Sequence, residues 1–100
     1  MPHKSFRLWL SERCYLVAEF TMIDGLIASF VVRLMQITQH GDANVARYDT
    51  AHGMAHLDIL SRRGNLVEKR WLGGMSFERA LTIAIEDFKE NHEDYLHPED

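Results

Sequence analysis

The sequence predicts an α+β domain, an antiparallel β-meander of about five or six strands packed against one C-terminal α-helix. Three observations carry that expectation. Residues 14–23 and 26–38 are rich in β-branched and aromatic residues and flank Asp24-Gly25, a dipeptide that closes tight hairpins. Turn signals at His40-Gly41-Asp42 and Arg62-Arg63-Gly64-Asn65 cut the middle of the chain into short extended segments. After Gly73-Gly74 the apolar residues recur every three or four positions, which is the helical repeat.

The elements follow in order. Phe6, Leu8 and Leu10 alternate, which predicts a short first strand. In the segment 26–38, Leu26, Ala28, Phe30, Val32 and Leu34 fall on one face and Ser29 and Arg33 on the other, the pattern of a strand with one face toward the core. Extended segments are expected over 43–49, 54–60 and 66–71. Ser76 is placed to cap a helix in which Phe77, Ala80, Leu81, Ala84, Ile85 and Phe88 form one apolar stripe, read as core packing against the sheet. From about residue 92 the chain turns acidic and polar, ending His97-Pro98-Glu99-Asp100, and a frayed, solvated tail is expected.

Size and composition bound the function. A chain of 100 residues supports one hydrophobic core, so residues 1–100 form a single domain in this reading. Apolar residues at 46% and charged residues at 26% match a globular chain and not a disordered one. A net charge of -4 gives no overall attraction to nucleic acid or anionic membrane. Cys14 stands alone, which excludes an internal disulfide and a four-cysteine zinc site and suits a reducing cytoplasm; a buried, inert thiol is expected. Glu12 and Arg13 interrupt the first apolar stretch before it resembles a signal-peptide core, and the run Gly25 to Val32 is far shorter than the ~20 residues that span a bilayer. The expectation is therefore a cytoplasmic protein with no membrane partner.

Chemistry concentrates in Arg47-Tyr48-Asp49-Thr50-Ala51-His52-Gly53-Met54-Ala55-His56. Strand alternation places Val45, Arg47 and Asp49 on one face, with His56 and Asp58 sharing a face on the next strand. An antiparallel hairpin with both apolar faces on one side then sets Arg47 opposite Asp58 and Asp49 opposite His56. Such a cluster suits acid/base work: an imidazole moves protons, Asp49 orients it, and Arg47 stabilises charge on a phosphate. His52 falls in the loop at the rim, where Gly53 permits a turn closed to other residues. The candidate catalytic residues are thus Arg47, Asp49, His52, His56 and Asp58. The bland alternative is a set of surface ion pairs worth ~0 to 1 kcal/mol each. His52 and His56 with Asp49 or Asp58 also make up two imidazoles and a carboxylate for a metal, although the spacing straddles a turn and lacks the glutamate of a zincin helix. No cofactor is called for: Gly73-Gly74 lacks the spacing and lysine of a P-loop, and no serine nucleophile motif occurs. Trp9 and Trp71 are expected in core or rim packing, and Arg62 and Arg63 at a solvated turn that is the best local phosphate patch.

The run Arg47-Tyr48-Asp49-Thr50-Ala51-His52 followed by His56 resembles the RYD-[TN]-A-H…H signature of small uncharacterised prokaryotic domains. More loosely, it is similar to the TumE-like toxins of bacterial toxin-antitoxin modules. The resemblance extends over His56-Leu57-Asp58-Ile59-Leu60, Gly64 and the helix from Ala80 to Glu90, roughly the second half of the chain. The uncharacterised group has no assigned activity. Likeness to TumE-like proteins implies RNA-directed toxicity and an antitoxin partner, with Arg47, Tyr48, Asp49, His52 and His56 at the signature positions.

Three functions compete. As a metal-independent ribonuclease, His52 or His56 exchanges protons with the ribose hydroxyl and the leaving oxygen, Asp49 orients the imidazole and Arg47 holds the phosphate of RNA. As a non-catalytic module, the hairpin is a recognition face or a homodimer contact, with strands 14–23 and 26–38 open to edge pairing. As a metal-dependent hydrolase, the two histidines hold the ion.

Overall fold

Asp24 and Gly25 both take positive φ, 52° and 79°, the backbone of a two-residue turn whose twist matches that of the strands it joins. The turn links β2 (Cys14–Ile23) to β3 (Leu26–Thr38). The computed structural model describes residues 2–98. Within them β1 (His3–Ser11), β4 (Gly41–Asp49), β5 (His56–Leu60) and β6 (Leu66–Trp71) complete one six-stranded sheet. Strand order follows the chain, and each neighbouring pair is antiparallel. With the single α-helix α1 (Phe77–Asn91) this is the expected α+β meander.

One face of the sheet carries the core. Leu16, Leu34 and Ala46 form one cross-strand row, and Ala18, Val32, Tyr48 and Leu57 form the next; all are buried. Against these rows α1 presents Ala80, Ala84 and Phe88, one residue per turn, each fully buried. Two alanines bring the helix backbone close to the sheet, and Phe88 fills the remaining depth, its ring 5.1 Å from Tyr48 and 5.4 Å from Tyr95. Burying a side chain of that size stabilises the fold by about 1.5–3 kcal/mol. Ser76 caps the helix as expected, its hydroxyl accepting from the Arg79 N–H at 3.1 Å. In the first turn, Glu78 accepts from the Ile27 N–H at 2.6 Å, which ties the helix start to the β2–β3 hairpin and holds that carboxyl below its ordinary range.

Several expectations are corrected. Residues 92–98 are held against the fold: His92–Asp94 form a 3-10 turn, and Tyr95 and Leu96 pack on the core. Buried Gln36 donates to the His97 carbonyl at 2.9 Å and accepts from the His97 N–H at 2.8 Å, while His97 Nε2 donates to the Leu60 carbonyl at 2.9 Å. The acidic residues there stay in solvent while the two apolar ones seal the core; Glu99 and Asp100 lie outside the described residues. Leu26 does not face the core. A register shift at Thr21/Met22 turns Ile27 inward and leaves Leu26 63% exposed. Val45 does not share a face with Arg47 and Asp49, because a bulge opposite Leu34/Met35 leaves it unpaired and buried beside Ala46. Strands 14–23 and 26–38 are not open to edge pairing, since β2 and β3 are flanked on both sides; the edges are β1 and β6. Trp9 and Trp71 lie at those edges, 55% and 53% exposed. Cys14 is buried as expected, and burial pushes its thiol up to about 11. Among the described residues no helix is long and apolar enough to cross a membrane.

Candidate functional site

Among the described residues no helix lies over the opposite sheet face, which collects the charges. Two cross-strand rows run its width: Ser5, Glu19, Val31, Asp49, His56 and Trp71, and beside them Arg7, Val17, Arg33, Arg47, Asp58 and Lys69. The pairings Arg47 with Asp58 and Asp49 with His56 are the register that strand parity predicts.

Local backbone chemistry sets up the corner where the rows meet. Thr50 pins the end of β4 to β3, its hydroxyl accepting from the Phe30 N–H at 3.0 Å and its own N–H donating to the Phe30 carbonyl at 3.2 Å. Asp49 Oδ1 then accepts from the Ala51 N–H at 2.9 Å, and Gly53 N–H donates to the Thr50 carbonyl at 3.0 Å. The reversal is completed by positive φ at His52 (67°) and Gly53 (82°), a conformation that is inexpensive for glycine and costly for histidine. Beyond it the chain enters β5, beginning at His56 rather than at residue 54.

The side chains then close on one another. Arg47 straddles both acids, Nε lying 2.9 Å from Asp49 Oδ2 and Nη2 donating to Asp58 Oδ2 at 2.9 Å. Lys69 Nζ stands 3.1 Å from Asp58 Oδ1. His56 Nδ1–H donates to the Met54 carbonyl at 3.0 Å, which aims Nε2 at Asp49 Oδ1 (3.0 Å) and past Asp58 Oδ2 (3.7 Å). Trp71 covers that imidazole at 5.0 Å between ring centres, and Lys69 lies 5.2 Å over the indole. His56 and Asp58 are consequently only 1% and 4% exposed, although they sit on the helix-free face. Burial by itself pushes the Asp58 carboxyl up, but hydrogen bonds from Arg47 and Lys69, with the nearby charges of His56 and Lys69, outweigh it and hold the group below the usual carboxylate range. Arg33 and Arg47 are direct neighbours, and each has its own acid, Glu19 at 3.0 Å in the first case.

Of the five residues picked from sequence, four meet: Arg47, Asp49, His56 and Asp58. His52 does not join them and stands exposed in the turn. Lys69 and Trp71 belong to the cluster and were missed; their signal is the β5–β6 register, which sets Asp58 against Lys69 and His56 against Trp71. Asp49, His56 and Asp58 each place one donor atom within 4.8 Å of the others, so the metal-capable set contains one imidazole and two carboxylates. Two larger hollows lie elsewhere: about 390 Å³ between the β3–β4 turn and the C-terminal segment, and about 720 Å³ between β5, β6 and the end of α1. None of the four clustered residues lines either.

Fold and site together define a small α+β domain whose single sheet is packed on one face and carries an interlocked charged cluster on the other. The chain belongs to the family described as Domain of unknown function (DUF7718), whose model matches residues 1–98. No curated protein and no solved structure matches it.

Proposed function

We propose that this protein is RNA-directed, binding single-stranded RNA across its helix-free sheet face in the toxin-like role that the resemblance to TumE-like proteins implies. The observation that carries the reading is the composition of that face. On a chain of net charge -4, the two central rows bring Arg7, Arg33, Arg47 and Lys69 together against Glu19, Asp49 and Asp58. A half-exposed tryptophan stands at each side, Trp71 on β6 and Trp9 on β1. Open antiparallel sheets that bind single strands use this combination, bases stacking on aromatic rings while cations track the phosphates. Six strands spaced about 4.8 Å apart give a path of roughly 24 Å, enough for about four nucleotides.

Within this reading the parts have separate duties. Arg47, whose side chain is 35% exposed, grips a phosphate. Asp49, His56 and Asp58 hold it at a fixed angle, the two buried ones acting as positioning residues. Trp71 stacks on a base and Lys69 meets the adjoining phosphate. His52, exposed at the rim, is the imidazole with access to a ribose hydroxyl. The test is quenching of tryptophan fluorescence by an eight-nucleotide uridine strand at 50 mM and 200 mM salt. Binding that weakens steeply with salt and drops at least tenfold in Trp71→Ala and in Arg47→Ala supports the reading. An absence of binding at the lower salt, or wild-type binding by both variants, defeats it. The toxin-like part is read separately, as growth arrest on expression that Arg47→Ala relieves.

A protein-interaction or homodimerisation role is favoured by a different observation. The edge strand β1 pairs on one side only, and Phe6 on it is 42% exposed. A monomeric mass at high micromolar concentration argues against a constitutive homodimer.

A further inference from the structure

We infer that Asp49, His56 and Asp58 form a binding site for one divalent transition-metal ion, of the zinc or cobalt class. The inference stands apart from the RNA reading and rests on how the imidazole is held. A carbonyl oxygen only accepts, so the 3.0 Å contact with Met54 puts the proton on Nδ1 of His56. In the neutral ring Nε2 is then a lone pair, buried beneath Trp71 and directed at two carboxylate oxygens. In that tautomer three electron-rich atoms face one another, and a cation among them, beyond Arg47 and Lys69 at the rim, relieves their repulsion. A second ring proton is one solution, and a metal ion is the other. A ring nitrogen donating to a backbone carbonyl is the usual support that orients a metal-binding histidine.

The distances suit an ion. Metal bonds of about 2.0–2.2 Å set neighbouring donor atoms roughly 3.0–3.6 Å apart. His56 Nε2 stands 3.0 Å from Asp49 Oδ1 and 3.7 Å from Asp58 Oδ2. The inner oxygens also have capacity to spare. Ala51 N–H occupies one lone pair of Asp49 Oδ1, and Arg47 Nη2 one of Asp58 Oδ2, which leaves the second lone pair of each for the metal. All three ligands sit on paired strands, two of them directly opposite and two of them two residues apart, so no loop has to order when the ion binds. One imidazole with two carboxylates suits borderline ions over purely oxygen-seeking ones. The cost is electrostatic, because Arg47 and Lys69 already balance the two acids. Removing one of those cations should therefore tighten binding.

The experiment uses the full chain without an affinity tag, titrated with cobalt(II) and followed by visible absorption. One equivalent of cobalt, displaced by zinc, is expected; His56→Gln and the less buried Asp49→Asn lose it, and Lys69→Met binds several-fold more tightly. Circular dichroism confirms that each variant is folded, and with Asp49→Asn the test does not depend on the fully buried His56 alone. Nitrogen spectra of the histidine rings provide an independent readout, with one equivalent of zinc moving the Nε2 resonance of His56 and not the resonances of His52. The proposal is overturned if cobalt gives no absorption, if folded His56→Gln and Asp49→Asn both bind it as the wild type does, or if His56 keeps protons on both nitrogens in excess zinc.

Discussion

Asp49 and His56 are direct partners across β4 and β5, and the carboxylate oxygen of one lies 3.0 Å from Nε2 of the other. The contact sits inside a network in which Arg47 and Lys69 answer the two acids. Such a network has an asymmetric cost. Arg47→Met leaves Asp58 buried with Lys69 as its remaining strong cation, and is expected to cost about 2–3 kcal/mol. Adding Asp58→Leu to that variant removes the stranded charge and should recover most of the loss. Urea unfolding of the two single variants and the double variant measures the coupling; additive losses would mean that the residues are energetically independent.

Deleting residues 95–100 should be expensive for a segment of such polar composition. The truncation strips Tyr95 from Phe88 and strands both amide atoms of buried Gln36. We expect a loss of about 2–4 kcal/mol. Gln36→Leu in the truncated chain should restore part of it, because the unpaired amide is then gone. A thermal midpoint unchanged by truncation would show that the docked segment contributes nothing.

Alkaline pH should destabilise the fold. Burial, followed by the hydrogen bond each phenol donates to Asp87, pushes Tyr48 and Tyr95 above the ordinary tyrosine range. Above about pH 10 an unfolded tyrosine releases its proton while these two keep theirs, so unfolding releases protons and stability declines as the pH rises. The slope reaches at most roughly 1.4 kcal/mol per pH unit for each phenol. Tyr48→Phe should flatten it, which guanidinium unfolding at pH 8 and at pH 11 would reveal.

Cys14 should be silent to thiol reagents in the native protein. It is buried, and its thiol is pushed up to about 11, so little thiolate exists at pH 8. Labelling by Ellman's reagent is expected to track global unfolding, with one thiol released in guanidinium. Rapid labelling without denaturant would contradict the packing of Cys14 against the core.

How far residues reveal such a site depends on what constrains them. The register of β4 against β5 was legible because Ala46 and Tyr48 on one strand, and Leu57 and Ile59 on the other, must all turn toward the core; that leaves Arg47, Asp49, His56 and Asp58 on the far side. No such parity guides β6, where Leu66 and Val67 are adjacent and both exposed, so Lys69 and Trp71 could not be assigned to the cluster. The bulge at Val45 escaped for a similar reason, since a single unpaired residue leaves no mark on an otherwise regular alternation. The docking of His97 on Gln36 joins positions 61 apart, and a polar residue at an inward position of β3 was its sole trace.

The order of the strands also bears on how the chain is made. Each strand pairs with the one before it, so successive hairpins can zip as they emerge during synthesis, with little loop entropy to overcome. The helix that covers their apolar side comes last, at Phe77–Asn91, and Tyr95 and Leu96 after it. A nascent chain therefore holds an uncovered apolar sheet face until Phe77–Leu96 has been translated. During that interval the exposed apolar face is where aggregation would begin.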